Sequence, residues 1–323
     1  MFSTKEQHSN IEQQLYDYYE EELDILQTYL EDLGYSDFTI RSYTYDIKLF
    51  LAYLYEKQAA FVDVETVSKR EISSFLRKQH RNKAKSTRNR RLMSLRTFYK
   101  SLIKAEILDY NPAQDIEMAK QENGRLPVYL SDDELDHFLA SIAPNEDYIR
   151  NKCMLMLMSL TGLRVIEVHN LNTQDIIRDS NEPGIEVLGK GNKTRYIPLP
   201  IPLYQLLLEY EKMYRPKVSN SNAFFLSKRG KRISRRRIQE ITTETFDRLK
   251  ERKEFAYLSQ KKLSAHKLRH TFGTGMVREG ADLVTIQQLM GHTNLNTTQI
   301  YTHVNNKQKQ EAMNNKDVSR FFN

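Results

Sequence analysis

Ser264-Ala265-His266-Lys267-Leu268-Arg269-His270 sets an imidazole and a guanidinium three residues apart, on one face of any helix that carries them. That pairing suits a phosphate: arginine offers two parallel donors, and histidine adds a further hydrogen bond or a proton. The rival reading pairs His266 with His270 as zinc ligands. The metalloprotease version requires Glu directly after the first His, and Lys267 stands there instead. No metal site is therefore expected. Working upstream, Thr161-Gly162-Leu163-Arg164-Val165-Ile166-Glu167 places an arginine where a helix starts after a glycine turn, a position whose spare N–H groups favour an anion. Between these stretches, Ile185–Leu188 and Thr194–Leu199 read as two strands joined by Gly189-Lys190-Gly191-Asn192-Lys193, a glycine-rich hairpin turn. Downstream, an apolar helix is predicted over Leu283–Met290, followed by Gly291-His292 and, nine residues on, Tyr301. Tyr301 alone is one of 19 tyrosines and says little.

Composition bounds the rest. The 323 residues suffice for two domains and a buried core. One cysteine, Cys153, excludes an intramolecular disulfide and any multi-cysteine zinc or iron–sulfur site. A mean hydropathy of −0.66 and the lack of a long apolar run argue against a membrane span. The polar start, Met1–Asn10, has no signal-like core, so a cytoplasmic location is expected. With 11 Gly and 8 Pro the chain reads as mainly helical.

Helical periodicity predicts elements over Ile11–Leu33, from Ser36 to about Lys57, over Lys69–Arg81 and over Ser86–Lys104. The second carries an apolar stripe of Ile40, Tyr43, Ile47, Phe50, Leu51 and Leu54; the fourth turns Leu92, Leu95, Phe98, Tyr99 and Leu102 inward. These four make a small helical domain over 11–117 after a tail, 1–10. A polar linker is placed at 118–126, a second domain at 127–304 and a terminal segment at 305–323. Ser131-Asp132-Asp133-Glu134 is a capping-box pattern. Further helices are predicted over Asp147–Leu160 and Val165–Leu171.

Charge is uneven. The net is 49 − 42 = +7, yet Lys69–Lys104 alone holds thirteen Lys/Arg against one acid, Glu71. A second basic run spans Lys228–Arg237. Solvated faces usually mix signs, so both runs are read as contacts to nucleic-acid phosphates, driven by counterion release. Arg41, Lys85, Arg88, Arg90, Arg91, Lys193, Arg235 and Arg236 are the candidate DNA contacts.

The motifs Thr-Gly-Leu-Arg164-x-x-Glu167, Gly-Lys190-Gly-Asn-Lys193, His266-x-x-Arg269-His-Thr-Phe, Leu-Met-Gly-His292 and Ile-Tyr301-Thr-His-Val, in this order, resemble the tyrosine recombinase (phage integrase) family, nearest its short Xer-type members. The resemblance implies a mainly α fold with a small β hairpin, an N-terminal SAM-like DNA-binding domain and a C-terminal catalytic domain. It implies Tyr301 as nucleophile on the scissile phosphate, giving a 3′-phosphotyrosyl bond that needs no ATP for religation. Arg164, Arg269 and His292 would then hold the phosphate oxygens, and His266 would serve as acid or base. Lys190 or Lys193 would protonate the leaving 5′ oxygen; counted back from Pro198, the family's pattern favours Lys190, with Lys193 then a contact to the DNA backbone. Glu167 would hold Arg164. No cofactor is implied. The partners implied are double-stranded recombination sites, a homo- or hetero-tetramer on DNA with a paralogous recombinase, and a septal DNA translocase. The short stretch before the first helix leaves no room for an arm-site-binding domain, which favours dimer resolution or mobile-element recombination. A type IB topoisomerase or telomere resolvase would share the nucleophile chemistry. A non-catalytic regulator on the same fold would lack the tyrosine or an arginine, and none of these is missing.

Overall fold

The computed structural model describes residues 11, 13–80, 84–120, 128–179, 181–189, 194–217, 221–261 and 263–291. The chain separates into two units, Met1–Gly124 and Arg125–Asn323. Both are mainly helical, and the second holds a small antiparallel sheet.

In the first unit, α1 (Glu20–Asp32), α2 (Asp37–Gln58), α3 (Lys69–His80) and α4 (Lys85–Lys104) enclose one apolar core. α2 starts at Ser36, whose Oγ accepts the Thr39 N–H, and stops at Ala59, which turns left-handed at φ 53°. The apolar stripes of α2 and α4 face inward as their period requires, and Phe50 meets Phe75 of α3 edge-on at 5.2 Å. The single helix predicted over Ile11–Leu33 is interrupted at Tyr19. The break follows from the ring, which enters the core. Its hydroxyl donates to the Val62 carbonyl at 2.8 Å and accepts the Val62 N–H at 3.0 Å, so a distant loop holds the backbone off helical geometry.

The basic face of α4 differs from its sequence reading. Arg91 is buried, with Nε 3.5 Å from Oδ1 of Asp46, a carboxylate only 1% exposed. It is thus a core residue, and its expected DNA contact is corrected. The period of α4 places it beside Leu92 and Leu95 on the inner side, where a cation needs a carboxylate. Asp46 also receives Arg90 and the Ser94 hydroxyl, the latter at 2.9 Å. Other cations of α4 fasten the chain that follows it. Arg96 donates to the carbonyls of Gln114 and Ile116 at 2.9 and 2.7 Å, and Arg88 donates to that of Glu117 at 3.1 Å. Asn89 exchanges two hydrogen bonds with the backbone of Ala119, so the chain is tied to α4 as far as the start of the expected linker. Arg41 and Lys85 lie on the exposed surface of this unit.

In the second unit, α5 (Asp132–Ala140) begins with the predicted capping box: Ser131 and Glu134 satisfy each other's backbone N–H groups. α6 (Tyr148–Leu160) is the buried centre, carrying Met154, Leu155, Leu157 and Met158. α7 (Val165–Asn170) leads to the sheet: β1 (Ile176–Ile177), β2 (Gly184–Leu188) and β3 (Thr194–Pro198) pair antiparallel in that order. The sequence predicts only β2 and β3; β1 is two residues long, too short to show an alternating pattern. In the register Ile185↔Ile197 and Val187↔Arg195, Arg195 shares the inner face with Ile197. α8 (Ile201–Glu209), α9 (Arg235–Glu251), α10 (Ala265–Arg278) and α11 (Leu283–Met290) complete the unit. No described helix is long and apolar enough to cross a membrane.

Asp46→Ala strips the buried Arg91 of this carboxylate, and breaking a buried pair from one side costs about 3–5 kcal/mol. Urea unfolding of the full chain, followed by far-ultraviolet circular dichroism, should show an early helical transition moved to lower urea. A curve that superimposes on the native one would show that the pair does not stabilise the unit.

Candidate active site

α6 ends at Thr161, and the chain turns through Gly162, whose φ of 67° is left-handed. A Cβ there would stand 2.5 Å from Cδ1 of Phe272 on α10, so both the turn and the helix approach require glycine. The turn delivers Arg164 as the N-cap residue of α7. The anion expected at this helix start is supplied from within. The Arg164 N–H donates to Glu167 Oε2 at 2.7 Å, and its Nη1 donates to Oε1 at 2.9 Å.

Glu167 also receives Arg195, whose Nη1 and Nη2 each donate to one carboxylate oxygen at 3.0 Å. Burial alone would push this carboxyl up. The hydrogen bonds and charges of Arg195 and Arg164 outweigh it and hold the group below the usual carboxylate range.

The arginines meet at the end of α11. Arg269, on α10 and 2% exposed, donates Nη1 to the Gly162 carbonyl and Nη2 to the Met290 carbonyl. Arg164 donates Nη1 to Met290 O at 3.3 Å and Nη2 to Gly291 O at 3.2 Å. Arg195 donates Nε to Leu289 O at 2.9 Å. Gly291 ends α11 at φ 62°, and a Cβ on it would lie 2.8 Å from Arg195 Nη1.

His266 lies in the first turn of α10, with its ring edge-on to His270 at 4.6 Å between centroids. Desolvation leads the lowering of its pKa, and the charges of Arg269, Lys267 and Arg164 add to it. The residue is exposed within an open cleft of about 720 Å³, so those charges act alongside a partial desolvation. Arg164, His266 and Arg269 line this cleft together with Arg235, Arg236, Gln239 and Thr243 of α9. One cleft thus holds an imidazole biased toward its neutral form and two guanidinium groups fixed by carbonyl oxygens. It can receive a phosphodiester without metal-type ligands from the protein.

The structure therefore brings together Arg164, Glu167, His266 and Arg269. Lys190, Lys193, His292 and Tyr301 lie outside the described residues. The second basic run divides. Arg235 and Arg236 reach the cleft, with Arg236 also paired to Glu240 at 2.9 Å. Lys228 pairs with Glu146, and Arg237 pairs with Glu244 at 2.7 Å. Arg232 is structural, donating to His169 O at 2.7 Å and Asn172 Oδ1 at 2.6 Å. Arg195 escaped the sequence reading. A signal existed: alternation along Thr194-Arg195-Tyr196-Ile197 puts an arginine on the inner face beside Ile197, where it needs an acid.

Comparison with known proteins gives the site its context. The Phage integrase family matches residues 128–308, and the phage integrase N-terminal SAM-like domain matches residues 24–106. The chain is similar to tyrosine recombinase XerC of Caldanaerobacter subterraneus subsp. tengcongensis: 37% identical over 305 residues, covering 87% of this chain and 82% of that protein. It is 32% identical over 278 residues to tyrosine recombinase XerC of Staphylococcus epidermidis, covering 85% and 89%. Among solved structures it is similar to XerH site-specific recombinase bound to a palindromic difH substrate in a post-cleavage complex. There the TM-score is 0.68 and the identity 25%, covering 84% of this chain and 78% of that one. Since both family descriptions match in order and these relatives align over most of its length, the chain belongs to the phage integrase family, that is, to the tyrosine-type site-specific DNA recombinases.

Proposed function

We propose that this recombinase cuts and rejoins duplex DNA through a 3′-phosphotyrosyl bond on Tyr301. The observation that carries the reading is the convergence of Arg164, Arg269 and His266 on one cleft, with both arginines held to the carbonyl that precedes Gly291-His292. Tyr301 Oη attacks the phosphorus and its proton passes to His266. The P–O5′ bond breaks, and Lys190 protonates the departing 5′ oxygen. The phosphoryl group stays esterified, so attack by a 5′ hydroxyl reverses the step without ATP. Arg164, Arg269 and His292 meet the charge on the nonbridging oxygens, a task that needs no metal ion or nucleotide in this scheme.

Similarity to the XerC proteins and to XerH on its difH substrate supports conservative exchange between two short duplex sites. Four protomers would act through a Holliday junction, in chromosome or plasmid dimer resolution or in movement of a mobile element. A paralogous recombinase within the tetramer and a septal DNA translocase belong to the same reading, as does a terminal segment, 305–323, that docks on a neighbour. Phosphate contacts fall to the cleft-lining Arg235 and Arg236 and to Arg41, Lys85, Lys193, Arg88 and Arg90. The last two also serve the fold, and phosphate contacts of this kind position the duplex without reading sequence.

The cleft divides the labour among its residues. Incubation with nicked duplexes should give a protein–DNA adduct resistant to detergent, absent in Tyr301→Phe. Removing one preorganised donor to the phosphate costs about 10²–10³-fold in rate. Arg164→Ala should therefore lower single-turnover cleavage by that order with only a modest fall in melting temperature, because its side chain is 37% exposed and Arg195 remains on the buried Glu167. Arg269→Ala should lose cleavage and melt earlier, because its buried guanidinium also holds Gly162 and Met290. Adducts that persist in Tyr301→Phe would move the nucleophile elsewhere.

The cleft also sets a pH dependence. A lowered His266 pKa means that the neutral imidazole, the proton acceptor, survives below the ordinary histidine value of about 6.5. Cleavage should stay level through neutrality and fall only as pH drops through the lowered value. Duplex affinity should not fall over that window, since the imidazolium adds positive charge. His266→Gln should cleave slowly and lack this limb. A limb retained in that variant would assign it to another group.

A further inference from the structure

We infer that Arg195 is a positioning residue of the reaction centre. It neutralises Glu167 so that this carboxylate can orient Arg164 without cancelling its charge, and it fixes both to the carbonyl end of α11. The inference rests on the reading of Arg164 as a phosphate ligand.

The geometry is specific to a guanidinium. Both Nη groups of Arg195 fork onto the two oxygens of Glu167 at 3.0 Å, while Nε turns to Leu289 O at 2.9 Å. A planar fork can serve three acceptors along two directions; a lysine ammonium cannot reproduce that arrangement. The side chain is 13% exposed, so it spends little of its charge on solvent. Gly291 closes over it, within 2.8 Å of Nη1 for any added Cβ. Arg195 therefore joins three elements: its own strand β3, which follows Lys190 in sequence; the start of α7, which holds Arg164; and the end of α11, which precedes His292 in sequence.

Charge explains why the strand needs an arginine here. Glu167 is 6% exposed and carries one negative charge. With Arg164 as its only partner, the pair would be neutral overall, and Arg164 would be drawn toward the carboxylate and away from a phosphate. With Arg195 present the trio carries a net positive charge, and its exposed member is Arg164, in the cleft. A buried carboxylate that loses one partner also strains the other, because its desolvation is then met by fewer hydrogen bonds.

The test compares Arg195→Met, Arg195→Lys, Glu167→Gln and the double variant Arg195→Met/Glu167→Gln with the native chain and Tyr301→Phe, on one nicked duplex. Loss of a partner that orients a ligand commonly costs about 10–100-fold in activity, as at metal centres. We expect that loss in single-turnover cleavage by Arg195→Met, with duplex affinity nearly unchanged because many phosphates share the binding. Arg195→Lys should fall between, since it keeps charge without the fork. The double variant should cleave faster than Arg195→Met, because Glu167→Gln removes the stranded negative charge; a merely structural residue gives additive losses. Native-rate cleavage by Arg195→Met, or a double variant slower than Arg195→Met, would overturn the inference. If the native chain forms no Tyr301-dependent adduct, the proposed chemistry fails and not this tie. Hydrogen exchange then decides it: faster exchange over Leu283–Gly291 in Arg195→Met supports the tie, and unchanged exchange refutes it.

Discussion

The catalytic unit depends on how the last carbonyls of α11 are satisfied. A helix end leaves its final C=O groups without intrahelical donors and carries partial negative charge. Here Leu289, Met290 and Gly291 offer those oxygens to Arg195, Arg164 and Arg269, which come from β3, the start of α7 and α10. Three elements far apart in sequence are thereby set in one frame by donors on rigid guanidinium planes. The left-handed turn at Gly291 lets the frame close, because a side chain there would collide with Arg195. The turn at Gly162 performs the same service opposite, where Phe272 packs against it and its carbonyl takes Arg269.

The two arginines of the cleft are therefore unequal. Arg269 is buried and has carbonyl partners at both ends of its fork, so its position is set before any duplex arrives. Arg164 is partly exposed and holds its carbonyls at 3.2 and 3.3 Å, longer than its 2.9 Å bond to Glu167. A phosphate oxygen would be a better acceptor than either carbonyl, because a charge-assisted bond is roughly twice as strong as a neutral one. Glu167 keeps Arg164 pointed, and in the proposed chemistry Arg164 would trade a carbonyl for the phosphate. Arg195 in turn keeps Glu167 from absorbing that charge.

Much of this was legible in the sequence, for reasons that can be stated. The inner faces of α2 and α4 follow the helical period, and α11 spans the predicted Leu283–Met290. Ser131 and Glu134 declared their cap because both partners lie within four residues. Local signals failed where a distant group intervened. Nothing near Tyr19 says that Val62, 43 residues on, will hold its hydroxyl. The basic run of α4 misled for a related reason. Counting charge does not ask which face each side chain takes, and helical spacing from Leu92 and Leu95 already turned Arg91 inward toward Asp46. At the site, His266 and Arg269 were readable as a pair on one helix face, and Arg164 with Glu167 as another. That the two pairs meet at the end of α11 is a tertiary fact.

Many arginines of this chain serve its own fold. Arg91, Arg96, Arg232 and Arg195 spend their donors on carbonyls and carboxylates of the protein itself. Arg235 and Arg236 stand exposed at the cleft, where Arg236 is also paired with Glu240 at 2.9 Å. The surplus of +7 therefore understates one property and overstates another. It understates the local field in the cleft, because the Glu167 charge there is already met by Arg195. It overstates the charge available to a duplex along α4, where Arg90 and Arg91 answer a buried acid. A recombinase must hold its DNA through many weak phosphate contacts and act on one phosphate through a few strong ones. The guanidinium groups that organise the site, Arg195 and Arg269, are largely withdrawn from solvent, and a duplex would meet the exposed Arg235 and Arg236 instead.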